Sequence, residues 1–464
     1  VWTQALRMVH KMCDCELGQC PTRFDYGAVV LFEGELMEPR AEYANLPLIV
    51  EKVFPVQQWR LVDHHEAHAR TGFFLSPFRN ALILSYDGGG NDGIFNVYYG
   101  GLGGADLNRL GQHGIDLGAR YVLLGALLRE VSSRNVTQGC KNYEKLDSAF
   151  TFPSETWLEV TQGLDFSSLD HLGWTGKLMA YASLGVQNDE IEDLVSVFLR
   201  AHERGASWMP QRLVEFACKS LEHQRSIARA AQAQFETYVL QLVRTILGEI
   251  GSLGLPEPEG IVVTGGCGLN VLANQLIHDS IVVKSTGNPM GIYVPAAPND
   301  SGLTVGGVWA LVQPPRGQSV QYAGFRLWDG DQLDEVAEAW GAKRLSKLGG
   351  VEFLAELLST GSLGEKPVVA VVRGRQEFGP RALGHRSLLA VPDSEKMRDR
   401  MNRLKSRQWF RPVAPMIADE ALVQVFGREV KSPYMSMAPR VLDEVLQNFP
   451  ALSHLDGTAR HQSA

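Results

Sequence analysis

The 464-residue sequence contains only 6 cysteines, no long apolar run and no excess of basic residues. So few cysteines cannot form a disulfide scaffold, and this favours a reducing, cytoplasmic location. No stretch approaches the roughly 18 consecutive apolar residues of a membrane helix, so we expect no membrane partner. The net charge of -8 argues against non-specific nucleic-acid binding, which needs a basic surface. These exclusions predict a globular protein that is too long for one compact core.

The N-terminal segment carries no catalytic motif. It begins VWTQALRMVH, without an initiator Met or a signal-peptide pattern, so we expect an incomplete chain. Cys13, Cys15 and Cys20 lie close together, but a zinc site would need a fourth ligand that the surrounding sequence lacks. Free thiols are therefore the favoured interpretation, and a metal role is the alternative.

Strand and helix patterns alternate along the rest of the chain. An apolar run at 81–86 predicts a buried strand, and a turn at 87–93 leads into a second strand at 94–100. Apolar residues at three- and four-residue spacing predict one or two long helices between 213 and 250. Further strands are predicted at 261–265 and within 292–302, and helices at 269–277 and 303–312. This order predicts the α/β class, with functional turns at the carboxyl ends of strands.

The segment VDHHEAHA (62–69) is the first sign of chemistry. His64 and His68 are four residues apart, so on a helix they share one face and can bind a single ion. Asp87 and Asp300 each follow a predicted strand beside glycines, where a carboxylate can reach a ligand. Taken singly, they have ordinary alternatives as chance histidines on a helix face and as turn aspartates. Two histidines and two aspartates together favour iron(II), manganese or zinc.

Glycine-rich turns follow two of the predicted strands. Gly88, Gly89 and Gly90 allow backbone amides to approach an anion without obstruction. Gly265 and Gly266, between a strand and a helix, offer a helix N-terminus that suits a nucleotide. Repeated beside candidate metal ligands, these turns predict a phosphate-handling site.

Two basic segments supply positive charge in the C-terminal part of the chain. They contain Arg373, Arg375, Arg381 and Arg386, and then Arg403, Lys405, Arg407 and Arg411. Guanidinium groups match phosphate and carboxylate oxygens, which favours a phosphate pocket. The alternatives are a solvated basic face and a nucleic-acid contact. Interleaved apolar residues, Phe378, Leu383, Trp409 and Phe410, imply packing and argue against a simple solvated face.

The motifs occur in a defined order. They are HHEAHA, DGGG, GKLMAYASLG (176–185), GGCGLN (265–270), PAAPNDSG (295–302), EFGPRALGHRS (377–387), LKSRQWFRPVAP (404–415) and HLDGTARHQ (454–462). Together they resemble the NodU/CmcH carbamoyltransferases over about residues 60 to 464.

The resemblance implies an α/β fold of actin-like (ASKHA) lobes followed by a YrdC-like domain. We expect the actin-like part at 1–313, a Pro- and Gly-rich linker at 314–334 and the YrdC-like part at 335–464. The family's N-terminal loop of the type GxxxxHDAS is not found, and the chain stops soon after HLDGTARHQ. We therefore expect a fold truncated at both ends.

The resemblance also implies an activity: the YrdC-like part forms carbamoyl adenylate from carbamoyl phosphate and ATP, and the actin-like part transfers the carbamoyl group to a hydroxyl. The implied metal ligands are His64, His68, Asp87 and Asp300, for iron(II) or another divalent ion, with Mg²⁺ accompanying ATP. The implied nucleotide- and phosphate-binding residues are Gly88, Gly89, Lys177, Gly265, Gly266, Asn270, Arg375, Arg386 and Arg407. The implied catalytic residues are Arg381, Lys405 and Arg411.

The expected partner is a small hydroxylated acceptor in a biosynthetic process, and a homodimer is a further expectation. A tRNA-modifying or hydrogenase-maturation carbamoyl transferase is the first alternative, although the acylphosphatase module and zinc fingers of maturation factors are absent from this sequence. A relic that binds nucleotide without catalysis is the second alternative, favoured by the missing N-terminal loop.

Overall fold

The computed structural model describes residues 23–32, 41–53, 55–101, 107–133, 157–159, 172–201, 208–282, 290–315, 318–326, 332–360 and 366–464. The cysteine cluster at 13–20 lies outside these ranges, as do parts of the expected linker. No helix among the described residues is long and apolar enough to cross a membrane.

The strands are β1 Phe24–Val30, β2 Val56–Val62, β3 Ala81–Gly90, β4 Gly93–Gly100, β5 Leu107–His113, β6 Trp157–Glu159, β7 Trp208–Pro210, β8 Gly260–Thr264, β9 Gly291–Tyr293, β10 Val369–Val372, β11 Arg386–Leu389, β12 Met416–Ile417 and β13 Gln462–Ser463. The helices are α1 Ala41–Val50, α2 His64–Leu75, α3 Leu117–Ala126, α4 Arg129–Ser132, α5 Leu172–Tyr181, α6 Asp189–Arg200, α7 Gln211–Lys219, α8 Leu221–Ile250, α9 Val271–Ile277, α10 Leu303–Trp309, α11 Leu333–Ala339, α12 Gly350–Thr360, α13 Glu395–Leu404, α14 Leu422–Phe426 and α15 Asp443–Asn448.

A five-stranded mixed sheet forms the centre of the fold, in the order β5-β4-β3-β8-β9. The β3–β4 and β4–β5 pairs are antiparallel, and the β3–β8 and β8–β9 pairs are parallel. The carboxyl ends of β3, β8 and β9 therefore meet at one edge, where α/β proteins place their ligands. The α/β class predicted from the sequence is confirmed, whereas the assignment to actin-like and YrdC-like parts stays a prediction.

Side chains alternate along β3 and so serve two different cores. Leu82 and Leu84 face a large apolar core formed with α3, α8 and α9. Ala81 and Ile83 face a smaller core in which Phe73 of α2 packs. Since both faces of β3 are buried, its sequence reads as one apolar run rather than as an alternating pattern.

The predicted hairpin at 81–100 is present, and β3 extends three residues past Asp87. The long helical region divides at Ser220, which has an extended backbone (φ -165°) and caps α8 by accepting from the N–H of His223. The helix predicted at 269–277 begins two residues later, after a 3-10 turn at Gly266–Leu269.

The C-terminal part carries smaller sheets. β10 and β11 form an antiparallel pair, and β12 and β13 form a parallel pair. β13 lies at the end of the chain, so the last residues close back onto the segment at 416–417. This arrangement places the motif at 454–462 next to the second basic segment. His454 Nε2, for example, lies 2.8 Å from the carbonyl oxygen of Phe410.

Candidate functional site

Two predicted histidines and two predicted aspartates meet at the carboxyl edge of the sheet. Asp87 lies near the end of β3, and Asp300 ends the loop after β9. His64 and His68 lie one turn apart on α2, which begins at the same edge. One ligand atom from each of the four residues lies within 4.8 Å of those of the others.

The distances within this group, which we call the four-donor centre, are short. Nε2 of His68 lies 3.1 Å from Nε2 of His64 and 3.0 Å from Oδ2 of Asp87. Oδ1 of Asp300 lies 3.4 Å from Nε2 of His68 and 3.7 Å from Nε2 of His64. The two nitrogens and two oxygens therefore converge on one point.

A divalent ion fits this centre. Ligand atoms that bind one tetrahedral ion at about 2.0–2.2 Å lie about 3.3–3.6 Å from one another. The five separations that involve a histidine nitrogen run from 3.0 to 3.7 Å. The imidazole rings of both histidines are fully buried, and their Nδ1 atoms have no hydrogen-bond partner among the described residues. Two imidazoles and two carboxylates suit iron(II), manganese or zinc.

Without an ion, the opposite charges hold each other in the ionised form. Burial acts to lower the pKa of His68, but its hydrogen bonds to Asp300 and Asp87 outweigh burial and raise that pKa to about 9. Burial acts to raise the pKa of Asp87, but His64 and His68 hold it well below its ordinary value. The surroundings therefore favour the ionised carboxylate of Asp87 facing a cation.

Asp87 also joins the two glycine turns. Its Oδ1 accepts from the N–H of Gly88 at 2.7 Å, and its Oδ2 accepts from the N–H of Gly266 at 2.9 Å. Gly265 has φ +85° and donates to the carbonyl oxygen of Pro298 at 2.7 Å. The N–H groups of Gly88 and Gly266, which we expected to bind phosphate, thus hold a candidate metal ligand in place. Gly89 faces open space, since a Cβ there would meet nothing within 4 Å.

Asn270 lies in a polar network at the start of α9. Its Oδ1 accepts from the N–H of Ala273 at 3.1 Å, which caps the helix. Its amide also exchanges two hydrogen bonds with Gln232 of α8, at 2.9 and 3.1 Å. Gln232 in turn donates to Glu236 at 2.7 Å. Asn270 is therefore held in place by hydrogen bonds to the protein itself.

Lys177 is half-buried on α5, a helix that packs against α3 and α8. Its neighbour Leu178 is fully buried in the large apolar core, so the helix is anchored on the side that carries Leu178.

Five cations form the second part of the site, the cation cluster: Arg381, Lys405, Arg407, Arg411 and Arg460. Burial and repulsion from Arg411 lower the pKa of Arg381 to about 10. Burial, with repulsion from Arg411 and Arg381, lowers the pKa of Arg407 to about 10.

The cluster has buried polar atoms without partners. Among the described residues, the Nε atoms of Arg381, Arg407 and Arg460 have no hydrogen-bond partner, although Nη2 of Arg407 donates to the carbonyl oxygen of Pro412 at 3.1 Å. No salt bridge between described residues involves the cluster. Burial, followed by repulsion from Arg381, Arg407 and Arg411, lowers the pKa of Arg460 well below its ordinary value. Such a concentration of uncompensated charge is the arrangement expected of an anion pocket.

The other two predicted phosphate ligands bond to backbone carbonyls. Arg386 donates to the carbonyl oxygens of Arg373 at 2.6 Å, His385 at 2.8 Å and Gly374 at 3.2 Å. Arg375 donates to the carbonyl oxygen of Gly324 at 3.3 Å. Both guanidinium groups thus brace the loop between β10 and β11.

Glu377 fixes the loop that carries Arg381. Its Oε1 accepts from the backbone N–H groups of Leu383, His385 and Arg386 at 2.7, 2.8 and 3.0 Å. Burial opposes ionisation of Glu377, but these backbone hydrogen bonds lower its pKa. The loop at 377–387 therefore has a preformed shape.

The loop of the cation cluster touches the loop of the metal ligands. A Cβ on Gly379 would lie 2.3 Å from the carbonyl oxygen of Ala296, so only glycine allows this approach. Gly379 is two residues from Arg381, and Ala296 is four residues from Asp300. The loop that carries Arg381 therefore packs against the loop that carries Asp300.

Two residues of the site were missed in the sequence interpretation. Arg460 lies in the motif HLDGTARHQ, and a single arginine there gave no sign that it joins the cluster. His65 lies between the two candidate ligands, but its Nδ1 is 2.8 Å from Ser85 Oγ and its Nε2 is 3.0 Å from the carbonyl oxygen of Gly93. Burial and the neighbouring His64 and His68 lower its pKa to about 3, so it is neutral.

Two descriptions of known protein families match this chain, one over the range of the four-donor centre and one over the range of the cation cluster. Residues 28–309 match the family described as carbamoyltransferase N-terminus, and residues 360–464 match carbamoyltransferase C-terminus. Nodulation protein U of Rhizobium tropici is 32% identical over 315 residues, covering 63% of this chain and 51% of that protein. The 3'-hydroxymethylcephem-O-carbamoyltransferase of Streptomyces clavuligerus is 31% identical over 314 residues, covering 64% and 54%.

The chain spans about half the length of these relatives. Among solved structures, full-length HypF in its phosphate- and nucleotide-bound form is similar over 64% of this chain and 40% of the HypF chain. The sequence identity is 13% and the TM-score is 0.29. A score this low carries no conclusion about fold or function.

Proposed function

The chain belongs to the carbamoyltransferase family, and from that premise we propose that it forms carbamoyl adenylate from carbamoyl phosphate and ATP and transfers the carbamoyl group to a small-molecule hydroxyl. The family predicted from the sequence motifs is thereby confirmed. The substrates, the intermediate and the acceptor are the proposal.

The observation that supports the proposal best is the gathering of four half-buried arginines and the exposed Lys405 in the cation cluster, without a salt bridge between described residues. Withdrawing unpaired cations from water is costly, so this arrangement favours an anionic ligand. Guanidinium groups bind phosphate oxygens through paired hydrogen bonds. Carbamoyl phosphate and the triphosphate of ATP, with its Mg²⁺, are ligands of this kind.

The proposed chemistry has two stages. Water first displaces phosphate from carbamoyl phosphate, and the resulting carbamate oxygen bonds to the α-phosphorus of ATP as pyrophosphate leaves. In the second stage the acceptor oxygen bonds to the carbamoyl carbon, its proton is released and AMP leaves. Arg381, Lys405 and Arg411 would neutralise charge that builds up on the phosphates in the first stage.

The four-donor centre would serve the second stage. His64, His68, Asp87 and Asp300 would hold a divalent ion, which would supply Lewis-acid polarisation of the carbamoyl group. Gly266 and Gly88 would keep Asp87 oriented through their N–H groups. The packing of Gly379 against Ala296 would keep the loop that carries Arg381 beside the loop that carries Asp300, so neighbouring loops would serve the two stages.

The small-molecule acceptor is supported by a relative. The name of the Streptomyces clavuligerus protein describes O-carbamoylation of a hydroxymethyl group on a cephem. A hydroxyl on a small molecule, in a biosynthetic process, is therefore the acceptor class we propose here.

Exchange between ATP and labelled pyrophosphate, dependent on carbamoyl phosphate, tests the first stage. We expect exchange with the 464-residue chain, its loss in Arg381→Ala and its retention in Arg403→Ala, since Arg403 is exposed on α13. No exchange from folded, metal-loaded protein would refute the adenylation. Transfer of labelled carbamoyl to hydroxylated small molecules, but not to free tRNA, tests the second stage.

A further inference from the structure

The first turn of α2 is held by side chains from the tip of the β3–β4 hairpin. A helix begins with four N–H groups that lack partners within the helix. Asp63 precedes α2, but its side chain caps none of them. Instead, the N–H of His64 donates to Oδ1 of Asn91 at 2.9 Å, and the N–H of His65 donates to Oδ1 of Asp92 at 3.1 Å.

The hairpin tip is itself locked to the helix. Nδ2 of Asn91 donates to Oδ1 of Asp63 at 2.8 Å, so Asn91 bonds to two successive residues at the start of α2. A Cβ on Gly90 would lie 2.8 Å from Cβ of His64, which shows how closely the hairpin approaches this residue. The hairpin and the helix therefore form one unit around His64.

This unit matters because Nδ1, the ring nitrogen of His64 that faces away from the four-donor centre, has no hydrogen-bond partner among the described residues. Metal-binding histidines usually donate their second ring N–H to a protein group that fixes the ring. In the described part of the chain, Nδ1 of His64 has no such partner. Its orientation depends on the backbone anchor and on packing, including the edge of Phe32, whose ring centroid lies 5.6 Å away.

We propose that Asn91 and Asp92 are positioning residues, which set the place of His64 in the four-donor centre by capping the helix that carries it. The inference rests on the proposed metal centre. Removing Asn91 leaves the first turn free to fray, so that Nε2 of His64 departs from the point on which the other three donors converge. The loss of Asn91 therefore lowers metal affinity as well as the stability of the fold.

Asn188 provides a matched control. It caps α6 by accepting from the N–H of Ile191 at 3.1 Å, and it contacts none of the four donors. Asn188→Ala and Asn91→Ala each remove one asparagine cap. If capping acts only on stability, both variants lower the melting temperature of the metal-free protein and leave metal affinity unchanged.

Titration of the metal-free chain with cobalt(II), followed by calorimetry and visible absorption, tests the proposal. We expect Asn91→Ala and Asp92→Ala to weaken cobalt(II) binding by about 10- to 100-fold, the range for loss of groups that orient metal ligands. Asn188→Ala should bind like the wild type. Asp92→Asn should also retain affinity, because its amide oxygen still accepts from the N–H of His65.

The outcomes separate this inference from the function on which it rests. Wild-type affinity in Asn91→Ala would overturn the positioning role and leave the metal centre intact. An equal loss in Asn188→Ala would show a general effect of instability and would also overturn the role. A wild-type chain that binds no cobalt(II) would overturn the proposed metal centre and the inference together.

Discussion

The carboxylate of Asp87 accepts a hydrogen bond of 2.9 Å from the backbone N–H of Gly266, while the same oxygen lies 3.0 Å from Nε2 of His68. One oxygen thus connects the candidate metal centre to the turn after β8. Such a contact requires the strands of Asp87 and Gly266 to be neighbours, and β3 and β8 are paired in parallel up to Ser85 and Thr264. The sheet register therefore fixes this part of the centre.

Replacing Asp87 with Asn tests its role as an anionic ligand. The amide oxygen can still accept from Gly266, so the fold should be retained, but the ligand charge is lost. We expect metal affinity to fall by more than about 100-fold, beyond the range for residues that only orient ligands. Metal content after dialysis and cobalt(II) titration measure this loss. Asp334→Asn removes an exposed carboxylate paired with Arg344 and should leave affinity unchanged.

Gly265 should tolerate no side chain. Its φ is +85°, and a Cβ would lie 2.1 Å from the carbonyl oxygen of Tyr86. We expect Gly265→Ala to lose at least about 3 kcal/mol in the free energy of unfolding, measured with urea. Gly248→Ala is the control, since Gly248 is an exposed residue of α8 and a Cβ there would meet nothing within 4 Å. It should gain about 0.5–1 kcal/mol, and an equal loss in both variants would contradict the steric argument.

Much of the four-donor centre could be anticipated because its residues depend on regular structure. Histidines at four-residue spacing share a helix face, and the sequence showed that Asp87 follows a buried strand. The parallel order of β3, β8 and β9 then brings Asp300 to the same edge. These positions follow from periodicity and topology, which leave clear traces in a sequence.

Loop residues could not be anticipated in the same way. Arg381 and Arg386 lie five residues apart, yet one belongs to the cation cluster and the other bonds to three carbonyl oxygens. The difference arises from the loop conformation held by Glu377, which has no periodic pattern. Arg460 joins the cluster from another segment, so its role depends on how the chain end packs back.

Asp456 should contribute a stability that disappears in acid. Burial acts to raise its pKa, but hydrogen bonds from His454 and Thr458 outweigh burial and lower the pKa to about 2, from an ordinary 3.8. A lowered carboxyl pKa stabilises the fold above the ordinary value and loses that effect as the pH falls towards 2. The shift corresponds to about 2 kcal/mol.

Urea unfolding at pH 5 and pH 2 measures this contribution. Asp456→Asn should show a smaller decline between the two pH values than the wild type, by about 2 kcal/mol. Asp443→Asn, at the exposed start of α15, should decline as the wild type does. Equal declines in all three proteins would show that Asp456 is not held in its ionised form.

We expect the cation cluster to lower the free energy of unfolding when no anion is bound, and to bind anions. Repulsion from three other guanidinium groups acts on Arg460, and its Nε has no hydrogen-bond partner among the described residues. Replacing it with Met keeps much of the volume and removes a half-buried charge that has no salt bridge among the described residues. When no anion is present, we expect the free energy of unfolding of Arg460→Met to exceed that of the wild type by about 1–3 kcal/mol.

Pyrophosphate should act in the opposite direction. At about 100 times its dissociation constant, pyrophosphate should stabilise the wild type by about 2.7 kcal/mol. It should stabilise the variant much less, because the variant lacks one of the side chains that bind the anion. Thermal unfolding with and without pyrophosphate measures both effects. Arg403→Met, which removes an exposed charge from α13, should match the wild type in both conditions. A variant that is destabilised without anion, yet still responds fully to pyrophosphate, would mean that Arg460 supports the fold and not the ligand.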